Sequence, residues 1–417
     1  MMVAVIGQGY VGLPLAVHTV NAGHTVVGFD TDSHRVASLR RGNSDIEDVS
    51  GAILREALAT GRYLLTDDES ELAGFDVAVI SVPTPLRDRV PDLTCIDSAA
   101  RSLAQHLTIG ATVILESTTY PGTTDELLAD ILADISGLKP GLDFHLGYSP
   151  ERVDPGNPDR SVALVPKLIA GIDGDSLVAI ERFYQSLSIP TVVVSGTREA
   201  ELAKLAENTF RNVNIALVNE LAMLAHDLGI DVWQAIDAAG TKPFGFMRFA
   251  PGPGVGGHCL PIDPSYMSWQ VQRRLGRPFR FVELANDVND HMPDYVVQRL
   301  MRALNARGQV LYGSRILLLG VAYKPNTGDA RESPAWRMAE LLADLDAEVV
   351  AADPHFRGNM KHATQLVDAT GEEFASADAV VLVTNHRAFD YDLLVRRARY
   401  VLDCRGCLPV APHVERL

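Results

Sequence analysis

Cysteine is scarce in this sequence: Cys95, Cys259, Cys404 and Cys407 are the only four in 417 residues. That is too sparse for a disulfide scaffold and fits a reducing cytoplasm. Positive charge is also short. Lys and Arg total 37 against 53 Asp and Glu, a formal charge of −16. Nucleic acid and anionic membrane surfaces are thereby disfavoured as partners of the whole molecule. A few local cations and helix N-termini would still suffice to hold a phosphorylated ligand. No apolar run reaches the roughly 18 residues of a membrane span. The opening MMVAVIGQGYVGL has no basic n-region, so neither a transmembrane helix nor a signal peptide is expected. The histidines show no HExxH and no paired spacing, and no metal site is expected. Cys404 and Cys407 form a CxxC, but a second ligand pair is missing and the motif follows a strand, so it is read as structural.

What is present reads as an α/β protein. The length suggests two or three domains, and 47% hydrophobic content lets each build a core. VAVIG (3–7), TVVGFD (25–30), DVAVISV (76–82), TVILEST (112–118) and FHLGYSP (144–150) are short apolar runs, most of them separated by helical patterns. This is the rhythm of a doubly wound parallel sheet, with TVVVSG (191–196) closing it. From Thr197 to Gly229 there is no proline and no internal glycine. Leu202, Leu205, Ala206, Phe210, Val213, Leu217, Leu221 and Leu224 recur there at helical spacing. One long helix is expected, linking domains and carrying part of a homodimer interface. RILLLG (315–320), AEVVAAD (347–353), AVVLVT (379–384) and YVLDC (400–404) restore the strand rhythm. The expected organisation is a Rossmann domain over 1–196, a helical linker and dimerisation region over 197–300, and a smaller Rossmann-like domain over 301–417.

Gly7-Gln8-Gly9-Tyr10-Val11-Gly12 is a GxGxxG that follows an apolar strand and opens a helix. Gly7 permits the tight turn, Gly9 lets a pyrophosphate reach the backbone, and Gly12 allows close helix–strand packing. Asp30 ends the second strand, where a carboxylate accepts from ribose hydroxyls and repels a 2′-phosphate, so NAD is expected rather than NADP. Arg35 is either a partner for the same end of the cofactor or a surface charge. The second α/β region has no such fingerprint. Its first strand runs into Gly320-Val321-Ala322-Tyr323-Lys324, which places a cation at a strand's carboxyl end, where open sheets bind ligands.

The segment Pro251-Gly252-Pro253-Gly254-Val255-Gly256-Gly257-His258-Cys259 cannot form a regular element, and it offers bare backbone and a thiol to a ligand. A lone cytoplasmic cysteine is usually a small buried hydrophobe. The glycine setting raises the alternative, a reactive thiol. Asp263 lies four residues on, one turn away if a helix starts there. Lys204 and Asn208 share a face of the long helix, though spacing alone leaves them as solvated surface residues.

These blocks resemble the nucleotide-sugar 6-dehydrogenases, the relatives of UDP-glucose dehydrogenase. The likeness runs in order through GQGYVGL, SVPTPL (81–86), ESTTYPGTT (116–124), YSPERVDPG (148–156), ELAKLAENTFRNVNIALVNE (201–220), GPGVGGHCLPIDP (252–264) and LGVAYKPNTGDARESP (319–334). The resemblance implies that Cys259 is the nucleophile and that Lys204, Asn208 and Asp263 surround the reacting C6. It assigns water activation or oxyanion stabilisation to Glu151 and Thr118. Thr84, Ser117 and Thr118 line the nicotinamide side, and Arg331 reaches the cofactor from the C-terminal domain. Substrate contacts fall on Glu151, Arg152, Val153, Lys204, Asn208, Arg248, Gly256, Tyr323 and Lys324, with Lys324 at the nucleotide diphosphate. SPERV, and Ile262 where glucose-type enzymes often carry lysine, are similar to the UDP-N-acetylhexosamine branch, the N-acetylglucosamine type most closely. Arg248 is a departure from related sequences. The implied reaction is a four-electron oxidation with two NAD, giving a uronate. UDP-N-acetylmannosamine, UDP-glucose and dTDP-glucose are the alternative substrates, and a non-catalytic nucleotide-sugar binding relative is the rival function.

Overall fold

The structure, a computed structural model, describes residues 1–46, 48–87, 90–153, 164–257, 260–361 and 364–417. It divides into two compact units, Met1–Glu207 and Asn208–Leu417.

The first unit runs β1 (Met2–Ile6), α1 (Gly12–Asn21), β2 (Thr25–Phe29), α2 (Ser33–Arg40), α3 (Gly51–Ala59), β3 (Tyr63–Thr66), β4 (Val77–Ile80), a hairpin β5 (Leu86–Arg87) and β6 (Val90–Pro91), α4 (Thr94–Ala104), β7 (Thr112–Leu115), α5 (Ala129–Ser136), β8 (His145–Tyr148), β9 (Lys167–Gly171), α6 (Gly174–Ser186) and β10 (Thr191–Val193). The main sheet has the order β3-β2-β1-β4-β7-β8-β9-β10. Only the β8–β9 pairing is antiparallel. The central strands β1, β4 and β7 are almost wholly apolar because both faces are covered. Ala4 and Ile6 face a core shared with α4 and α5, while Val3 and Val5 face α1 and α6. The first six strands take the order 3-2-1-4-5-6, whose direction reverses between β1 and β4, the crevice where such sheets bind dinucleotides.

Helix α7 (Thr197–Asp227) begins in this unit and continues into the next, close to the span expected from sequence. Its faces are not those the apolar spacing suggests. Leu202, Phe210, Leu217, Leu221 and Leu224 are exposed, whereas Glu201, Lys204, Asn208, Asn212 and Asn219 are buried. The helix therefore buries a polar stripe together with Leu205 and shows its other leucines.

The second unit continues with α8 (Val232–Gly240), α9 (Asp263–Leu275), α10 (Arg280–Asp290), α11 (Met292–Ala306), β11 (Arg315–Leu319), α12 (Pro334–Asp344), β12 (Glu348–Ala352), β13 (Gln365–Leu366), α13 (Gly371–Ser376), β14 (Ala379–Leu382), α14 (Tyr391–Arg397), β15 (Val401–Asp403) and β16 (Val414–Arg416). Its sheet, β13-β12-β11-β14-β15-β16, is parallel and repeats the 3-2-1-4-5-6 order of the first. The α/β class with two Rossmann-like sheets and a long central helix is thus as expected. Strands β3, β9, β13 and β16 escape the sequence reading, because each is short or opens on a polar residue. No helix among the described residues is long and apolar enough to cross a membrane.

Candidate active site

At the end of β1 the three glycines meet three different constraints. Gly7 has φ +91°, and a Cβ there would stand 2.7 Å from the Ser81 carbonyl oxygen. At Gly12 a Cβ would fall 1.8 Å from the Gly7 oxygen and 2.5 Å from Ser81 Oγ. At Gly9 nothing lies within 4 Å of the same position. The turn is closed behind and open in front, as a bound pyrophosphate requires. Val11 and Tyr10 complete the loop; Tyr10 packs against the core beneath α1. Asp30, just past β2, accepts from Gln8 N at 2.8 Å and Asp32 N at 3.0 Å, one bond to each oxygen. Each oxygen keeps a lone pair for a ribose hydroxyl. Arg35, in the first turn of α2, pairs with Asp45 at 3.3 Å. Buried Gln8 fixes the loop from below by donating to the Val5 carbonyl and accepting from Tyr63 OH at 2.6 Å. Its variable place in the fingerprint hid that task. These residues fit NAD.

Farther along the same strand ends, Thr84 and Ser117 are buried, and Ser117 Oγ donates to the Val82 carbonyl at 2.8 Å. Thr118 is half-buried beside it. The following loop is pinned by Glu201 of α7, which accepts from Gly122 N (2.7 Å), Thr124 N (2.9 Å) and Thr124 Oγ1 (2.7 Å). Burial pushes this carboxyl up to about 7. Lys204 lies one turn along α7 and is buried, which corrects its reading as a solvated lysine.

Glu151 follows β8. Its Oε1 accepts from Arg152 N at 2.6 Å and Val153 N at 2.7 Å. Its Oε2 lies 3.1 Å from Lys167 Nζ, an ion-pair contact rather than an aligned hydrogen bond. Burial opposes ionisation of Glu151, but Lys167 and the two N–H groups together hold its carboxyl below the usual range. Lys167 also meets Glu116 Oε1 at 2.5 Å, and Tyr184 OH donates to the same oxygen at 2.6 Å. Burial pushes Glu116 up despite Lys167. The Arg152 guanidinium turns to Glu207 (2.7 Å) and to the Pro166 carbonyl (2.8 Å). Glu116 and Lys167 were absent from the sequence-derived candidates. A lysine opening an apolar strand and a glutamate ending one were the available signals. The rest of the YSPERVDPG block, from Asp154, lies outside the described residues.

In the second unit, Asn208 Nδ2 donates to Asp263 Oδ2 at 2.5 Å, and both residues are buried. Asn208 is therefore not a solvated surface residue. Asp263 is the first residue of α9, as a helix starting there would place it. Above Asn208 on the same face, Asn212 and Asn219 join Asn286 and Asn289 of α10 in a chain of amide hydrogen bonds of 2.8–2.9 Å. Asn219 Oδ1 also accepts from Gly252 N at 2.9 Å, anchoring the glycine-rich loop. That loop packs on the segment after β11. A Cβ on Gly256 would meet the Glu332 oxygen and Tyr323 Cβ, each at 2.7 Å, and Gly257 N donates to the Arg331 carbonyl at 2.8 Å. Cys259 and His258 themselves lie outside the described residues. Lys324 is half-buried, and Arg331 makes an ion pair with Asp329 at 2.6 Å. Asp353, at the end of β12, accepts from Val321 N, Ala322 N and His386 Nε2 at 2.7–2.9 Å and so braces the loop bearing Tyr323 and Lys324. Arg248 stands apart on an exposed segment, paired with Asp237 at 2.7 Å. In the CxxC, Cys404 is buried and its thiol is pushed up to about 12 by that burial, consistent with a structural role.

Three family models match the chain in order. They describe the NAD binding domain (residues 1–188), the central domain (198–291) and the UDP binding domain (317–410) of the UDP-glucose/GDP-mannose dehydrogenase family. A UDP-N-acetyl-D-mannosamine dehydrogenase of Pyrococcus horikoshii is 36% identical over 93% of this chain and 90% of the relative. A UDP-N-acetyl-D-glucosamine 6-dehydrogenase of Pseudomonas aeruginosa is 36% identical over 93% and 91%. The solved structure of a Pyrococcus horikoshii UDP-D-ManNAc dehydrogenase superposes with a TM-score of 0.91 at 34% identity, covering 100% of this chain and 99% of that one. The chain belongs to the UDP-glucose/GDP-mannose dehydrogenase family and is an NAD-dependent nucleotide-sugar dehydrogenase.

Proposed function

We propose that this enzyme oxidises the C6 alcohol of UDP-N-acetylglucosamine to the uronate, with Cys259 as covalent nucleophile. The observation that carries the reading is the buried Asn208–Asp263 pair, which stands at the head of α9, four residues beyond Cys259. Bound NAD supplies the hydride acceptor, once for the alcohol and once more after the aldehyde stage. Lys204 or Asp263 takes the hydroxyl proton in the first step. The resulting aldehyde has no hydroxyl to oxidise. Attack by the Cys259 thiolate forms a C–S bond and a thiohemiacetal, whose hydroxyl is then oxidised to give a thioester. Water adds to the thioester carbon, with one proton passing to Glu151. The C–S bond breaks with its electron pair on sulfur, and Thr118 stabilises the oxyanion.

Substrate contacts are assigned to Glu151, Arg152, Val153, Lys204, Asn208, Arg248, Gly256, Tyr323 and Lys324. Cofactor contacts are assigned to Gly7, Gly9, Tyr10, Val11, Gly12, Asp30, Arg35, Thr84, Ser117, Thr118 and Arg331. The three-part division at 196/197 and 300/301 and a cytoplasmic setting belong to the same proposal; free Cys95 and Cys404 suit a reducing compartment. UDP-N-acetylmannosamine is the second reading, favoured by the Pyrococcus relative. An NADH-release assay on a panel of UDP- and dTDP-sugars tests both. Two NADH per UDP-N-acetylglucosamine is the expected result. Preferential turnover of the mannosamine epimer moves the assignment, and no sugar yielding two NADH removes the four-electron reaction. A homodimer through the exposed leucines of α7 is part of this proposal, and sedimentation at monomer mass would remove it.

A further inference from the structure

The cluster behind Glu151 has no task in the chemistry above. Three charged side chains meet at the ends of three strands, and all are withdrawn from solvent: the side chains of Lys167, Glu116 and Glu151 are 3%, 0% and 12% exposed. A lone lysine facing two carboxylates leaves one negative charge in excess. Such a cluster is costly to build and weak evidence of stability by itself. Glu151 is also held asymmetrically. Both backbone N–H bonds go to Oε1, while Oε2 lies 3.1 Å from the lysine and makes no hydrogen bond among the described residues. One oxygen is fixed by two donors, and the other, buried and without a hydrogen-bond partner among the described residues, is left to the lysine.

We propose that Lys167 is a positioning residue that aims Glu151 Oε2 and holds its charge, with Glu116 and Tyr184 as the anchor that keeps Lys167 in place. The proposal rests on the reading of Glu151 as the group that takes the proton of the attacking water. From β7 Glu116 faces Glu151, from β9 Lys167, and from α6 Tyr184; Arg152 is turned away to Glu207. Lys167 favours the carboxylate form of Glu151 and Glu116 opposes it, so removing either shifts Glu151 in opposite directions.

The test is single-turnover uronate formation between pH 5 and 9 in Lys167→Met, the double variant Lys167→Met/Glu116→Gln, and Glu151→Gln, with mass spectrometry of the chain to detect acyl-enzyme. Glu151→Gln is expected to trap an acyl group at every pH. Lys167→Met is expected to trap it at low pH and release it at high pH, with the acid limb of hydrolysis raised by about one to two pH units. The double variant removes the repelling carboxylate and brings the limb back toward the wild-type position. It also replaces the ion pair with two neutral groups, which protects the fold if Lys167→Met alone is unstable. If Lys167→Met keeps the wild-type profile while Glu151→Gln traps the acyl group, this inference fails alone. A loss at all pH that the double variant does not relieve makes Lys167 merely structural and also overturns it. If Glu151→Gln hydrolyses normally, the reading of Glu151 as the base fails first.

Discussion

Cys259→Ser is expected to lower uronate formation by at least about 1,000-fold, the scale of losing a covalent nucleophile. The argument is one of electron count. An alcohol yields two electrons on becoming an aldehyde, and the aldehyde then has no hydroxyl from which a second oxidation can start. On the proposed route sulfur adds to the carbonyl and creates one. Serine presents a hydroxyl of far higher pKa, so it is a poor nucleophile near neutral pH. The dinucleotide loop at the end of β1 belongs to the other unit, so NAD affinity should be unchanged. Counting NADH per sugar and titrating NADH by fluorescence reads both quantities. Two NADH per sugar at the wild-type rate would refute the covalent route.

Gly12→Ala is the second large effect. Its Cβ would stand 1.8 Å from the Gly7 oxygen, backbone that no side-chain rotation can move aside. The first turn of α1 must therefore move off β1, and the N–H groups aimed at the pyrophosphate move with it. NAD affinity should fall by about 100-fold or more, some 2.7 kcal/mol, together with a lower melting temperature. Gly9→Ala is the informative partner. Nothing lies within 4 Å of its Cβ, so the fold should melt as wild type while NAD affinity still falls. The two titrations and two melts separate loss of packing from loss of approach. A Gly9→Ala enzyme with wild-type affinity would place the cofactor elsewhere.

The fingerprint was legible because its constraints are local. Glycines five residues apart or fewer set the turn, and the neighbouring strand and helix announce themselves by period. Lys204 and Asn208 show the opposite case. By spacing they are an ordinary lysine and asparagine on a leucine-rich helix, yet both are buried and the leucines other than Leu205 are exposed. Hydrophobic periodicity reports which face of a helix avoids water. It does not report whether that face is covered within the same chain.

The NAD fingerprint and the α/β class were determined by the sequence alone, since each rests on residues close together in the chain, and the cysteine in its glycine loop stood out as a candidate on the same ground. The tertiary structure decided what stands behind them. Glu116 and Lys167 are 51 positions apart, and Asn208 and Asp263 are 55. A carboxylate's charge and aim depend on the donors that folding brings within about 3 Å of it, and no local pattern in the chain records those neighbours.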